Sequence, residues 1–140
     1  MPVERLEKQE IFEVLRPEQV NKLSKASQVK NFKAGEFVYN SGAKADFFYI
    51  VLKGEVSLKL PKQEGTIDDL AVGSVFGGCV SLDMTHYNLD AKCKTDTEVL
   101  QIETAALKKL MDDDPRNGYL IQSRVSEIYF KRYIKTTKKL

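Results

Sequence analysis

The sequence predicts a mainly β fold in which a double-stranded β-helix, or jelly roll, lies between N-terminal and C-terminal helices. Three observations predict it. Apolar residues recur at helical spacing up to residue 26, alternate with polar residues from Val29 to Ile102, and return to helical spacing at Glu103. The 140 residues suit one domain. We therefore expect a single domain over 1–140, divided into N-terminal helices over 1–26, a β-roll over 27–102 and C-terminal helices over 103–140.

The N-terminal segment has the spacing of two short helices. Its apolar positions recur mostly at three- to five-residue steps with charged residues between them: Leu6, Ile11, Phe12, Leu15, Val20 and Leu23. Pro17 is tolerated only in the first turn of a helix, because it lacks an amide hydrogen. We therefore expect a break near Arg16 and a second helix from Glu18 to Lys25.

The central segment consists of short apolar runs with a period of two. Glycine-containing turns separate these runs at fairly regular intervals: Ala34-Gly35, Ser41-Gly42, Lys53-Gly54, Glu64-Gly65 and Val72-Gly73-Ser74. Many short strands between such turns are typical of an all-β barrel or a jelly roll. Closing the strands into a double sheet also reduces the number of exposed edges.

Two further helices are expected after the roll. Leu107, Leu110 and Met111 form one helical face, and Pro115 ends that helix. Asp114 can cap the next helix, since its carboxylate can accept hydrogen bonds from exposed amides. The last helix is expected from about Arg116 to Lys135.

Composition and charge exclude several functional classes. The chain carries 22 Lys and Arg against 20 Asp and Glu, a net charge of +2, which is too balanced to indicate nucleic-acid or membrane binding. No apolar run reaches the length of a membrane span, and the first residues carry charges where a signal peptide is apolar. A cytoplasmic location is expected, with no nucleic acid or membrane as partner.

A metal or a catalytic centre is not expected. The chain has one histidine, His86, and two cysteines, Cys79 and Cys93, which are not in a CxxC motif. We interpret the cysteines as small buried thiols. A β-roll enzyme or metal protein of the cupin type would need clustered histidines and carboxylates. We therefore expect no cofactor and a protein that is not an enzyme.

Four sequence blocks in a fixed order resemble the cyclic nucleotide-binding domain of the catabolite-activator and protein-kinase-A regulatory-subunit type. The blocks are FKAGEFVY at 32–39, DFFYIVLKGEV at 46–56, LAVGSVFG at 70–77 and CKTDTEVLQI at 93–102. The resemblance implies a jelly roll with a phosphate cassette, here over 76–89, and a final helix that closes over the pocket and often pairs two subunits.

The cassette departs from the pattern that the family uses to bind nucleotides. In the family, a glutamate directly after the glycine holds the ribose hydroxyl, and an arginine about ten positions later pairs with the phosphate. Here Gly78 stands at the glutamate position and Asn88 at the arginine position, with Tyr87 there if the register slips by one. By family position, the ligand-binding residues would be Phe76, Gly77, Gly78, Cys79, Val80, Asn88 and Leu89.

Other groups were weighed as replacements for the missing pair. Lys92 and Lys94 are expected to face solvent, because they alternate with Ala91 and Cys93 along one strand. His86 is interpreted as a loop residue. The Gly77-Gly78 pair either exposes backbone amides to a small anion or only satisfies a turn.

The final helix was expected to carry an apolar stripe and a basic end. The stripe is Tyr119, Leu120, Val125, Ile128, Tyr129 and Tyr133, and it packs either on the roll or against a partner. The basic residues are Lys131, Arg132, Lys135, Lys138 and Lys139, interpreted as a solvated helix end. This helix uses nearly all residues after Pro115, so no winged helix is expected behind it.

These observations together predict a non-enzymatic regulatory module that senses a small effector, has a degenerate nucleotide pocket and signals through its C-terminal helix. The alternatives are a weak cyclic nucleotide binder and a ligand-free structural or dimerisation domain with a vestigial pocket. The expected protein partner is a second copy of the chain, paired through the C-terminal helix, or another signalling protein.

Overall fold

The computed structural model describes residues 2–78 and 84–138. The N-terminal elements are α1 (Pro2–Glu7), a 3₁₀ turn (Glu10–Phe12) and α2 (Pro17–Ser24). The predicted break near Arg16 is confirmed, and α2 begins at Pro17. The Arg16 amide donates to Gln19 Oε1 at 2.9 Å, which satisfies a backbone group next to the helix start.

In the described part of the chain, eight strands form two antiparallel four-stranded sheets, which confirms the predicted jelly roll. The strands are β1 (Ser27–Phe32), β2 (Phe37–Tyr39), β3 (Phe47–Lys53), β4 (Val56–Lys59), β5 (Thr66–Leu70), β6 (Val75–Phe76), β7 (Asp90–Cys93) and β8 (Thr97–Glu103). One sheet has the order β1-β8-β3-β6 and the other β2-β7-β4-β5. Because β1 pairs with β8 and β2 pairs with β7, the first and last strands of the roll lie side by side.

Strand β3 separates two apolar cores, because successive side chains of a strand point to opposite faces. Phe48 and Ile50 pack with the helices in the first core, whereas Tyr49 and Val51 pack inside the roll in the second. All four side chains are at most 4% exposed. The first core attaches the helices to the roll, and the second supports the cassette.

The C-terminal elements are α3 (Thr104–Asp113) and α4 (Pro115–Thr137). Asp114 caps α4 as predicted: its Oδ1 accepts from the Asn117 amide at 3.2 Å. Its Oδ2 lies 2.9 Å from Gln19 Nε2 and 3.0 Å from Arg16 Nη1, which fixes the start of α4 against α2. Within the described ranges no helix combines the length and the apolar character that a membrane span requires.

Candidate ligand-binding site

A cavity of about 430 Å³ lies between the roll and α4. The roll contributes Tyr39, Leu58, Gly77, Gly78, Met84, Asn88 and Leu89, and α4 contributes Gln122, Ser126, Tyr129 and Arg132. We call these two groups the roll wall and the helix wall. The volume lies within the range of small-molecule sites.

The cassette residues expected from the sequence fall into three groups. Gly77, Gly78, Asn88 and Leu89 line the cavity. Phe76 is fully buried below it, with its ring centroid 5.3 Å from that of Tyr49. The remaining two, Cys79 and Val80, lie outside the described residues.

Gly77 and Gly78 both occupy backbone conformations that favour glycine, with φ of +98° and +106°. A Cβ on Gly77 would lie 3.0 Å from Tyr49 Cδ1 and 3.1 Å from Phe48 Cα, whereas one on Gly78 would meet Met84 Sδ at 3.1 Å. The turn therefore accounts for both glycines. Gly77 is more tightly constrained, because backbone and buried ring atoms surround it.

Tyr87 belongs to the aromatic core and not to the set of ligand groups. Its ring stacks on Tyr39 with centroids 3.7 Å apart, and its hydroxyl donates to the Phe47 carbonyl at 2.6 Å. Burial raises the pKa of the Tyr39 and Tyr87 phenols above their usual value, so both remain protonated. Asn88 is consequently the cassette residue that reaches the cavity near the expected arginine position.

None of the three weighed replacement groups is among the described residues that line the cavity. Lys94 Nζ is 3.2 Å from Glu55 and 3.6 Å from Asp69, and the Glu55 hydrogen bond raises its pKa. The Lys92 ammonium lies 5.6 Å from the centroid of the Phe37 ring. His86 is exposed, with Nδ1 at 2.9 Å from the Thr85 hydroxyl.

Two polar contacts hold the helix wall to the roll beside the cavity. The Tyr129 hydroxyl donates to the Gly78 carbonyl at 2.7 Å. Arg132 Nη2 donates to the Val75 carbonyl at 2.7 Å, and the Arg132 guanidinium lies 4.9 Å from the centroid of the Tyr129 ring. Both contacts join α4 to the backbone around the glycine pair.

A buried carboxylate on β5 binds two cations of α4. Asp68 Oδ2 is 3.4 Å from Arg132 Nε, and its Oδ1 accepts from Lys135 Nζ at 2.7 Å. The side chains of Asp68 and Arg132 are only 8% and 12% exposed. The interaction with Asp68 raises the pKa of Lys135.

The interpretation of the basic residues at the end of α4 as a solvated set is therefore wrong for Arg132. Lys131 and Lys135 retain exposed side chains, and Lys131 pairs with Glu127 at 2.9 Å. Arg132 points toward the roll instead, where Asp68 and a carbonyl satisfy its donors. The sequence of the strand at 66–70 is TIDDL, with two adjacent aspartates, and strand alternation places Asp68 rather than Asp69 on the same face as the buried Leu70.

The apolar stripe of α4 divides between two surfaces. Val125 of the predicted stripe is buried, as is Ile121, which the prediction did not include, and Ile128 and Tyr129 pack against the same core. Tyr119 and Tyr133 are exposed by 72% and 63%, and they share the outer surface with Phe130 and Ile134. One part of the predicted stripe therefore packs on the chain's own fold and the other part faces outward.

Over residues 2–78 and 84–138, no cluster of three or more His, Cys, Asp or Glu side chains could hold a metal ion. Cys93 is a buried thiol whose pKa is raised by burial, and Cys79 lies outside the described residues. The polar side chains that line the cavity carry hydroxyl, amide and guanidinium groups.

Comparison with known families decides the classification. The family model described as "Cyclic nucleotide-binding domain" matches residues 29–114. The chain belongs to the cyclic nucleotide-binding domain family. This membership confirms the resemblance noted in the sequence.

Curated relatives include cAMP-dependent protein kinase regulatory subunits from Emericella nidulans and Aspergillus fumigatus. Each is 26% identical over 106 residues, which cover 76% of this chain and 26% of the relative. The chain thus spans about a quarter of the length of these relatives.

Solved structures show the same fold at lower identity. A Geobacter metallireducens protein described as a cyclic nucleotide-binding protein aligns with a TM-score of 0.82 and 24% identity, over 95% of this chain and 98% of its own. The sensor domain of the transcriptional regulator DNR from Pseudomonas aeruginosa gives 0.79 and 21%, over 93% and 89%. The regulatory subunit of a cAMP-independent protein kinase A from Trypanosoma brucei gives 0.77 and 17%, over 99% and 48%.

Proposed function

We propose that this domain is a non-enzymatic regulatory module that binds a small effector in the cavity between roll and helix and signals through α4. The observation that carries the proposal is the contact of Tyr129 with Gly78 at 2.7 Å. It joins the helix wall to the cassette turn at the edge of the cavity. An occupant of the cavity would therefore alter the energy of the contact that fixes α4.

Signalling follows as a shift between two positions of α4. A ligand changes such an equilibrium only by its difference in affinity for the two positions. A ligand that binds both walls would favour the closed helix, whereas one that competes for the Gly78 carbonyl would release it. The start of α4 stays fixed at Asp114 in either case, so the end near Arg132 would report occupancy.

Cyclic nucleotides are proposed to bind weakly. The loss of an arginine partner for a buried phosphate costs about 2–5 kcal/mol. The loss of a hydrogen bond to the ribose adds about 0.5–1.5 kcal/mol. Together these amount to about two to five powers of ten in affinity. The fold likeness to a regulatory subunit described as cAMP-independent is compatible with a different effector.

The outward surface of α4 is proposed as the place where the signal leaves the domain. Phe130 and Tyr133 stack there with ring centroids 6.4 Å apart, exposed by 61% and 63%. Large exposed aromatic side chains are enriched at protein interfaces. A second copy of the chain, or another signalling protein, would cover them.

Thermal unfolding with ligands tests the binding function. Cyclic AMP, cyclic GMP and a panel of small organic acids are added to the wild type and to two variants. Both serines are exposed, but only Ser126 lines the cavity, so Ser126→Phe adds a ring at the cavity wall and Ser123→Phe adds the same ring elsewhere on α4. A ligand at a hundred times its Kd stabilises the fold by about 2.7 kcal/mol. We expect stabilisation in the wild type and in Ser123→Phe but not in Ser126→Phe.

The double variant Gly78→Glu with Asn88→Arg tests the degenerate cassette. Restoring both family side chains should increase cyclic nucleotide affinity, because each supplies a missing ligand contact. Calorimetry with cyclic AMP and cyclic GMP measures the gain. Flat traces for both nucleotides in this variant, together with no stabilisation of the wild type by any member of the ligand panel, would overturn the proposal.

A further inference from the structure

The cavity carries a positive charge that does not come from the cassette. Among the lining residues that the structure describes, Arg132 is the one with a formal charge, and the others are apolar or neutral polar groups. We propose that the effector is an organic anion with an apolar body, whose acidic group binds Arg132 of α4. This inference rests on the proposed function, because it names the ligand class of the same cavity.

The ion group at the end of α4 retains one positive charge in excess. Asp68 is a single carboxylate, and it faces both Arg132 and Lys135. The closer contact is the one with Lys135, at 2.7 Å compared with 3.4 Å for Arg132. Asp68 can therefore remain paired with Lys135 while Arg132 turns toward a ligand.

The position of Arg132 favours the binding of an acidic group. Its side chain is 12% exposed, so little water has to be removed before a ligand binds. The described contacts use Nε and Nη2, whereas a guanidinium offers five N–H donors in a fork that suits carboxylate, sulfonate or phosphate. Charge-assisted hydrogen bonds in such a site are about twice as strong as neutral ones.

The rest of the cavity selects an apolar body. Tyr39, Leu58, Met84 and Leu89 contribute ring, aliphatic and thioether surface on the roll wall. The Tyr129 ring lies against the guanidinium and connects this surface to the charge. An uncharged apolar molecule would fill the cavity without using Arg132, and a bare inorganic anion would leave the apolar wall unfilled.

A pair of fluorescent probes separates charge from shape. Anilinonaphthalenesulfonate and N-phenylnaphthylamine share their aromatic rings, and only the first carries a sulfonate. Both probes are titrated against the wild type, Arg132→Met, Asp68→Asn and Lys131→Met. Lys131→Met is the matched control, because it removes an exposed cation one residue away on α4. Near-ultraviolet circular dichroism first establishes that each variant retains its tertiary packing.

We expect Arg132→Met to weaken sulfonate binding about tenfold or more, which is the loss of one charged hydrogen bond. Binding of the uncharged probe should change less than about threefold, and Lys131→Met should leave both probes unchanged. Asp68→Asn should tighten sulfonate binding, because it removes the competing carboxylate and retains its shape. If Arg132→Met does not fold, Asp68→Asn alone tests the same charge in the opposite direction.

Two results overturn the inference, and they differ from a failure of the proposed function. Equal losses of both probes in Arg132→Met would mean that this residue shapes the cavity and does not bind the acid. Unchanged or weaker sulfonate binding in Asp68→Asn would also contradict it. If neither probe binds the wild type, or if Ser126→Phe does not block them, the cavity itself is not a binding site and the proposed function fails first.

Discussion

The two walls of the cavity present different chemistry to the same space. The roll wall offers backbone and neutral side chains, with Gly77 and Gly78 in a tight turn and Asn88 beside them. The helix wall brings hydroxyl and amide groups and the formal charge of Arg132. In the family pattern the charged ligand contact belongs to the cassette, whereas here a cation lies on the helix. The roll wall therefore shapes the cavity, and α4 supplies its charge.

Under the proposed function, the two walls would also differ in how far they respond to a ligand. Gly77 is enclosed by Tyr49 and the Phe48 backbone, so close packing constrains the roll wall at this position. The helix wall meets the roll through Tyr129 and Arg132, and the proposed function requires that these contacts can be exchanged for contacts to a ligand. Three variants test the comparison, and they are taken from the largest expected effect to the smallest.

Gly77→Ala should be the most damaging change, because it acts on the rigid wall. The positive φ costs about 1–2 kcal/mol for a residue with a Cβ, and the contacts to Tyr49 and Phe48 add about 1–3 kcal/mol. We expect the free energy of unfolding in urea to fall by about 3 kcal/mol.

Gly78→Ala is the matched control within the same turn. It carries the same backbone cost, but among the described residues its Cβ meets only the flexible sulfur of Met84. The free energy of unfolding of Gly78→Ala should fall by about 1–2 kcal/mol. Equal losses in the two variants would contradict the view that packing beneath Gly77 makes the roll wall rigid.

Tyr129→Phe should have a smaller effect, which is confined to the helix wall. It removes the hydrogen bond to the Gly78 carbonyl and keeps the ring, at a cost of about 0.5–1.5 kcal/mol. Amide hydrogen exchange should accelerate in the second half of α4 and remain unchanged in the roll. Tyr133→Phe, at a position that is 63% exposed, should leave both quantities unchanged. Exchange that accelerates equally in the roll would show that the walls are not separable.

The sequence predicted the roll wall better than the helix wall, and the reason is the range of the interactions. Strand period and glycine turns are local patterns, and so is the Asp114 cap three residues before Asn117. They gave the order of elements and the cassette position of Gly77 and Gly78.

The ion group at the end of α4 is not local. Lys135 and Asp68 are 67 residues apart, and nothing in the spacing of either segment pairs them. Arg132 belongs to a run of basic residues that resembles any solvated helix end. Only the docking of α4 across β5 distinguishes its buried guanidinium from the exposed Lys131. The direction of α4 over the sheet therefore had to be known before the charge of the cavity could be assigned.

The start of α4 provides the last and smallest test, because Asp114 fixes the helix away from the cavity. The Asn117 amide, then the Gln19 side chain and Arg16, lower the pKa of Asp114 below its ordinary value of 3.8. The unfolded chain consequently binds more protons in acid, so the stabilisation is present above about pH 4 and is lost as the pH falls through the lowered pKa. Asp114→Asn retains a good helix cap but has no charge to titrate.

We expect the thermal midpoint of Asp114→Asn to lie below that of the wild type at pH 7 and to approach it at pH 3. Midpoints at pH 7, 5 and 3 measure this convergence, with the other carboxylates as a background common to both proteins. Probe affinity at pH 7 should be unchanged in Asp114→Asn, because the helix remains capped and Arg132 keeps its place. If the difference between the two thermal midpoints is the same at pH 7, 5 and 3, the charge of Asp114 does not stabilise the fold. A change in probe affinity would mean that both ends of α4 respond together, and that the helix wall moves as one rigid element.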